Sequence, residues 1–263
     1  MRWLSPYQTR AYSDGLAAIG VERYVHRGSP TVFFDRLSSP LLTAWETDLR
    51  AAPSVLASSL PGRVHAFSGL HDLAGVRWGN TAYCTLVVDL ERPTCYSSSL
   101  RRNIRKAIAA NVRHEVGFWP GAIELFADNA AFRAGIPYET FIRLVNATHG
   151  VCADVHAASV DGDPVAAAVV LRSSHVANVR FVGSTSTGRE RQAMAFLYDR
   201  IIEDGRAGGL QFVDLSGVGP PDACDKLRRI NAFKTKFTQL AAVFSEYRAD
   251  ELARRAPCRG GDE

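Results

Sequence analysis

The stretch CADVHAASVDGDPVAAAVVLRSSHVANVRFV, residues 152–182, decides the architecture of this 263-residue chain. It contains three apolar runs rich in β-branched residues, at 152–160, 165–172 and 175–182. An Asp-Gly-Asp triplet at 161–163 separates the first two runs, and an Asp-Gly pair between such runs is typical of a tight hairpin turn. The stretch therefore predicts three neighbouring antiparallel strands.

The residues after this meander predict alternating helices and strands. Thr187 and Glu190 match a capping box, and apolar residues follow at helical spacing: Met194, Leu197 and Ile201. Glycines between 205 and 209 end this predicted helix. The chain then predicts a short buried strand, a helix and a last strand, at 210–215, 222–237 and 240–247.

A meander followed by helix, strand, helix and strand is the order of the acetyltransferase (GNAT) fold, in which helices pack on a mixed sheet that splits at its centre. The first half predicts further elements: strands at 21–26, 31–36, 81–90 and 112–118, and helices at 41–50, 97–111, 121–135 and 138–149. We predict an α/β (α+β) protein with tandem GNAT-like domains at 1–134 and 135–250. The first copy is trimmed, and residues 251–263 are predicted to form a flexible tail.

Composition excludes several classes of protein. The chain is 46% hydrophobic and 22% charged with a net charge of +4, which predicts a packed globular protein. It has no apolar run long enough to cross a membrane and no secretory signal, so we expect a cytoplasmic location. Its five cysteines form no C-x-x-C pair and its seven histidines no H-E-x-x-H motif, so neither a metal site nor a cofactor is predicted.

The predicted helix at 97–111 carries a basic side. One arc of this helix is apolar, with Leu100, Ile104, Ala107 and Ile108. The adjoining arc holds four cations and no acidic partner: Arg101, Arg102, Arg105 and Lys106. Like charges this close repel one another, and a phosphate-bearing partner would relieve the repulsion. A solvated surface helix is the alternative, and the pattern leaves both open.

The predicted helix at 222–237 places a lysine on its apolar side. Its apolar stripe consists of Leu227, Ile230, Phe233 and Phe237, and Lys234 projects between the first and last of these. Such a lysine either extends its stem until the charge reaches water or lines a polar cleft. In a cleft, a fixed cation near a reacting carbonyl could stabilise a developing oxyanion.

These segments resemble the Fem family of aminoacyl-tRNA-dependent transferases. Residues 101–107, RRNIRKA, are similar to the family's R-x-N-I-R-K-A stretch. Residues 213–217, VDLSG, followed by Ile230 and by FKTKF at 233–237, are similar to its D-[FL]-x-G and F-K-x-x-F motifs. The predicted strands and helix between 165 and 208 also match the family's second acetyltransferase-like domain in kind and order, so the resemblance covers about residues 97–247.

The resemblance implies that the chain moves an amino acid from aminoacyl-tRNA to a free amine and forms an amide bond. In the family the acceptor is usually the peptide stem of a peptidoglycan precursor. Relatives in uridyl-peptide (pacidamycin-type) antibiotic pathways add a residue such as alanine to a peptide intermediate. Aminoacyl-tRNA is then the co-substrate, and no cofactor is implied.

The resemblance also implies roles for individual residues. Lys234 would stabilise the tetrahedral intermediate. The basic stretch would bind phosphate of tRNA or of a nucleotide-bearing acceptor through Arg101, Arg102, Asn103, Arg105 and Lys106, with Phe233 beside it. Asp214 and Ser216 end a strand beside the expected cleft, where Asp214 either orients the amine or serves as a structural cap. With no G-x-S-x-G motif in the chain, we expect direct attack by the acceptor amine rather than a covalent acyl-enzyme.

The chain departs from the family in three respects. Thr238 and Gln239 follow Phe237 where the family has a glycine soon after the motif. No heptad pair indicates the helical arm that some members carry, and the chain is shorter than the typical cell-wall enzymes. These differences favour a small peptide acceptor, such as a natural-product intermediate.

Two alternatives stay open. The first is a CoA-dependent N-acetyltransferase, whose Q/R-x-x-G-x-G/A loop cradles a pyrophosphate with backbone N–H groups. The corresponding residues 182–190, VGSTSTGRE, have glycines at another spacing, although Arg189 and Arg191 could meet a phosphate. A backbone nest at this turn would favour CoA. The second is a non-catalytic tRNA-binding module, which would have no need of a buried Lys234.

Overall fold

The computed structural model describes residues 9–19, 23–26, 32–35, 44–45, 63–78, 83–117, 120–127 and 138–248. The helices in these ranges are α1 (Arg10–Ala18), α2 (Ser98–Ala109), α3 (Pro120–Glu124), α4 (Tyr138–Thr148), α5 (Ser186–Glu190), α6 (Ala193–Ala207) and α7 (Asp225–Lys234). The strands are β1 (Arg23–His26), β2 (Val32–Asp35), β3 (Ala44–Trp45), β4 (Arg63–Asp72), β5 (Tyr83–Asp89), β6 (Arg113–Val116), β7 (Ala153–Val160), β8 (Asp163–Arg172), β9 (Val176–Ser184), β10 (Phe212–Gly217) and β11 (Leu240–Arg248).

A nine-stranded mixed sheet organises the fold, in the order β3-β4-β11-β5-β10-β9-β8-β7-β6. The predicted meander forms the antiparallel run β7-β8-β9, with the Asp-Gly-Asp triplet at the turn between β7 and β8. Asp161 and Gly162 both have positive φ, as this type of turn requires. Strands β1 and β2 form a separate antiparallel pair. The predicted α/β GNAT-like fold, a mixed sheet flanked by helices, is confirmed.

The sheet splits between β9 and β10. These two strands run parallel and pair only over three residues, from Phe212 opposite Val176 to Asp214 opposite Asn178. Beyond that point β9 continues to Ser184 without β10 beside it. The carboxyl ends of the two strands therefore open a cleft, which is where ligands bind in open α/β sheets.

Helices cover both faces of the sheet because the central strands are apolar on both sides. Strand β8 alternates its side chains: Val165, Ala166, Ala168 and Val170 join one core with α2 and α6, and Ala167, Val169 and Leu171 join the other with α1, α3 and α4. Strands buried on both faces read as continuous apolar runs, as this one does. Helix α6 belongs to the first of these cores, and Phe233 of α7 packs against the same core.

Three local predictions are wrong, and one strand was missed. The helix predicted at 41–50 contains strand β3 at Ala44–Trp45, which pairs parallel with β4; residues 41–43 and 46–50 lie outside the described residues. Strand β4 itself was not predicted. The predicted capping box fails because the side chain of Thr185, not Thr187, caps the helix, by accepting the Gly188 N–H at 3.0 Å. Ile108, assigned to an apolar arc, is 54% exposed.

The division into two domains at residue 134 stays a prediction. Strands from both sides of that position share the large sheet, and β5 inserts between β11 and β10. The predicted tail at 251–263 lies outside the described residues. Within the described ranges, every helix is too short or too polar to cross a membrane.

Candidate active site at the split of the sheet

Lys234, on the last turn of α7, is buried. Only 7% of its surface is exposed, while most other residues of this helix face solvent, including Leu227 at 41%. Its Nζ donates a hydrogen bond to the carbonyl oxygen of Gly217, at 2.8 Å. The side chain therefore does not extend into water, and its ammonium group lies against the carboxyl end of β10.

A bulge in β10 shapes this end of the strand. The register between β10 and β5 shifts between Asp214 and Gly217, and Ser216 adopts a left-handed conformation with φ of 67°. The Asp214 side chain accepts the N–H of Ser216 at 2.7 Å, which supports this strained residue. The Ser216 hydroxyl donates to the carbonyl of Val179 on β9 and so bridges the split.

Burial governs the electrostatics of Lys234 and Asp214. Desolvation lowers the pKa of Lys234 to about 8, although the Asp214 charge acts in the opposite direction. Desolvation likewise raises the pKa of Asp214, against the lowering effect of the Ser216 N–H and of the Asn178, Lys234 and Thr85 side chains. Lys234 and Asp214 are both buried near the end of β10, and buried ionisable groups with shifted pKa values mark a candidate functional site.

Sequence reasoning missed the partners of Asp214. Asn178 lies opposite Asp214 in the parallel pairing, and its amide also donates to the Ser216 hydroxyl at 3.4 Å. Thr85 comes from β5 and is buried beside them. No motif links these residues in the sequence, because they meet only through the order of strands in the sheet.

Aromatic side chains join α7 to the basic helix α2. Phe233 and Phe237 both pack against Tyr198 of α6, with ring centroids 5.4 and 5.5 Å away. Phe237 also meets Tyr96 edge-on at 5.7 Å, one residue before the Ser97 cap of α2. The FKTKF segment is thus built around this cluster, and Phe233 serves it as a packing residue.

The basic side of α2 faces solvent beside this cluster. The cations Arg101, Arg102, Arg105 and Lys106 are all exposed, and Asn103 is half-buried between them. None of these four cations forms an ion pair with an acidic side chain among the residues that the structure describes. Leu100, Ile104 and Ala107 are buried on the opposite side against α6. Because the Ser97 N–H contacts the Lys236 carbonyl at 3.5 Å, this cationic surface begins next to the helix that carries Lys234.

A backbone nest follows residues 182–190, the segment that corresponds to the pyrophosphate-binding loop of acetyltransferases, and two of its N–H groups are already hydrogen-bonded. Arg191 and Gln192 have the right-handed and left-handed conformations of a nest. However, the Arg191 N–H bonds the Thr187 carbonyl and the Gln192 N–H bonds that of Arg189. The nearby glycines serve packing: a Cβ on Gly188 would lie 2.1 Å from the carbonyl oxygen of Val165, and a Cβ on Gly183 would lie 2.0 Å from that of Leu125.

A second polar cluster, unseen in the sequence, lies at the opposite end of the strands. His114, His156 and Asp204 bring their side chains together beside a cavity of about 600 Å³. Burial lowers the pKa of His156 to about 3 and that of His114 in the same direction. The cavity also borders Ala177 and Leu210, near the amino ends of β9 and β10, so this cluster is separate from the cleft at Lys234.

Comparisons with known proteins agree with this architecture. Residues 96–225 match the model of the acetyltransferase (GNAT) domain. The crystal structure of FemX covers 92% of this chain and 91% of its own with a TM-score of 0.65 at 9% identity. The C-terminal domain (DUF2156) of a candidate lysylphosphatidylglycerol synthetase from Agrobacterium fabrum covers 94% and 90% with a TM-score of 0.57 at 13% identity. No curated protein sequence matches the chain. The chain therefore has a GNAT-like fold of the kind seen in FemX.

Proposed function

We propose that this protein transfers an aminoacyl group from a charged tRNA to an amine of a peptide acceptor. The observation that carries the proposal is the buried Lys234, held by the Gly217 carbonyl where the sheet splits. The similarity of residues 101–107 and 233–237 to Fem motifs supports it, as does the FemX-like fold. The second similar structure comes from a protein named as a lysylphosphatidylglycerol synthetase, and that product joins a lysyl group to a lipid.

The reaction requires little chemical assistance, because an aminoacyl-tRNA is an activated ester. The acceptor amine attacks the ester carbonyl, and the negative charge that develops on the oxygen needs a fixed positive partner. We infer that the Lys234 ammonium is this partner. Its position in a site with little water makes a single charge more effective than it would be in bulk solvent.

Asp214 and Ser216 support this arrangement rather than react. The Asp214 carboxylate already accepts the Ser216 N–H, and the Ser216 hydroxyl already donates to the carbonyl of Val179. We infer that both are positioning residues, which fix the β10 bulge and thereby the Gly217 carbonyl that holds Lys234. Their direct contact with the acceptor amine stays a prediction.

The cationic side of α2 is proposed to bind tRNA. Four exposed cations, Arg101, Arg102, Arg105 and Lys106, supply affinity for phosphate without reading sequence. This surface adjoins the aromatic cluster that packs α7 against α6. The acceptor stem of a tRNA bound there would therefore lie near Lys234. Such a donor implies a cytoplasmic reaction. The amine is proposed to belong to a small peptide intermediate or to a peptidoglycan precursor.

Transfer assays with two lysine variants test the proposal. Lys234→Met is expected to reduce the rate of amino-acid transfer by about 10²–10³-fold, as loss of an oxyanion partner does elsewhere. Lys226→Met, on an exposed position of the same helix, is the matched control and should retain the rate. Equal rates for the two variants would refute a catalytic role for Lys234.

A CoA-dependent acetyltransferase is the second candidate, because the matching domain model carries that description. The N–H groups of Arg191 and Gln192 already bond carbonyl oxygens of the chain, which argues against a pyrophosphate bound by these two groups. Acetyl transfer from acetyl-CoA without any transfer from aminoacyl-tRNA would establish this alternative.

A further inference from the structure

The cluster of His114, His156 and Asp204 combines three elements of the fold. His114 lies on β6 and His156 on β7, where His156 pairs with Val116 and His114 with Ala158. The two histidines are therefore diagonal neighbours on the same face of the sheet. Asp204 reaches them from α6, which packs on β7.

The three side chains have the spacing of metal ligands. His114 Nε2 lies 3.1 Å from His156 Nδ1, and Asp204 Oδ2 lies 3.8 and 3.7 Å from these two nitrogens. Ligand atoms around a tetrahedral zinc ion, with bonds of about 2.0–2.2 Å, are roughly 3.3–3.6 Å apart. Adjacent ligands of an octahedral ion with similar bonds are only about 3.0 Å apart. The mean of the three observed distances between ligand atoms is closer to the tetrahedral value than to the octahedral one.

The neighbouring charges leave this cluster available to a cation. Arg200 pairs with Asp199, and Arg172 pairs with Asp154 at 2.5 Å. Within the described ranges, Asp204 makes its only ion-pair contacts with the two histidines. The side chains of His114 and His156 are 14% and 6% exposed, and that of Asp204 is 49% exposed. The cluster therefore combines two largely buried imidazoles with one carboxylate that solvent can reach.

The cavity beside the cluster offers an entry path and a fourth ligand position. His156 and Asp204 form part of its wall, and Asp154, Arg172 and Ser173 line it nearby. Zinc sites with three protein ligands and an open position usually hold water there. A cavity of about 600 Å³ has ample room for that water or for an anionic group.

We propose that His114, His156 and Asp204 bind a Zn²⁺ ion whose fourth ligand is a water molecule from this cavity. The site would also tie α6 to the edge of the sheet. This proposal departs from the sequence analysis, which predicted no metal site, and it is independent of the proposed transfer reaction.

Calorimetric titration of the chelator-treated, untagged full-length chain with ZnCl₂ tests the site. We expect one equivalent to bind to the wild-type chain and to Glu203→Gln, which changes the neighbouring carboxylate on α6. Binding should weaken at least tenfold in Asp204→Asn and in His114→Gln, because each removes one ligand. Asp204 is half-exposed, so its variant tests the site even where a histidine variant fails to fold.

Cobalt substitution gives a second measurement. Co²⁺ in the wild-type chain should show the intense visible bands of a tetrahedral complex, and these bands should be lost in Asp204→Asn. Absence of Zn²⁺ binding, binding unaffected by both variants, or an octahedral Co²⁺ spectrum would overturn the proposal. The three side chains would then form only a hydrogen-bonded cluster around the His114–His156 contact.

Discussion

The buried charge of Lys234 should be visible in the pH dependence of stability. Replacing it with methionine removes the ammonium group and keeps a side chain of similar length. The same change removes the hydrogen bond from Nζ to the Gly217 carbonyl, which contributes at all pH values below the lysine pKa. The pH-dependent part of the difference between the two chains therefore reports on the proton of Lys234.

The magnitude follows from the pKa. The folded pKa is about 8 and the ordinary value is 10.5. Below pH 8 both folded and unfolded chains hold the proton, and the folded chain bears a cost of about 3 kcal/mol, because each pKa unit corresponds to about 1.4 kcal/mol. As pH rises from 8 to 10.5 the folded chain releases the proton while the unfolded chain keeps it, so this cost disappears. Between pH 7 and pH 9.5 the wild-type chain should gain about 2 kcal/mol relative to Lys234→Met.

Urea unfolding at a series of pH values measures this difference directly. Burial also raises the pKa of Cys84 and Cys152, to about 12 and about 11, which lowers the stability of both chains above pH 9. Subtracting the two curves cancels that shared loss. Lys226→Met, with an exposed lysine, should show no such pH-dependent difference. A wild-type minus Lys234→Met difference that stays constant from pH 7 to 9.5 would refute the buried cation and, with it, the electrostatic role proposed for Lys234.

Three further predictions test the phosphate surface, the packing of Gly188 and the bulge. Arg105→Gln should weaken tRNA binding for all tRNAs alike and reduce the slope of log affinity against log salt by about 1, whereas Arg10→Gln should not, as filter binding over a salt series would show. Gly188→Ala should destabilise the chain by more than about 2 kcal/mol in urea unfolding because its Cβ meets the β8 backbone, whereas Gly75→Ala, with open space around it, should stay within about 0.5 kcal/mol. Ser216→Ala should be less stable than Ser216→Gly by about 1–2 kcal/mol, because only glycine adopts the positive φ without strain; equal melting temperatures would contradict this.

Hydrophobic periodicity and turn residues predicted the elements of the second half of the chain. The meander, α6 and β10 follow from apolar runs separated by turn residues, since strands buried on both faces need such runs. The helical wheel also placed Lys234 on the inward side of its helix, and the structure confirms its burial. Periodicity sufficed there because a helix fixes which residues share a side.

Long-range pairing could not be predicted in the same way. Strand β5 lies between β10 and β11, although more than a hundred residues separate it from either, and no local pattern encodes that order. The effects of Asn178 and Thr85 on the pKa of Asp214 depend on that order. The histidine cluster was missed for the same reason: His114 and His156 are 42 positions apart and meet only through the register of β6 and β7. A search for histidines at short sequence spacing could therefore not find this pair.

One measurement tests the central claim most directly. Purified chain is incubated with a pool of radiolabelled aminoacyl-tRNAs and small amine-bearing peptides, and a parallel sample receives labelled acetyl-CoA in place of the tRNAs. The account predicts that label moves from tRNA to peptide, that Lys234→Met slows this movement by about 10²–10³-fold and that Lys226→Met leaves it unchanged. Label that moves only from acetyl-CoA would contradict the account and identify the protein as an acetyltransferase.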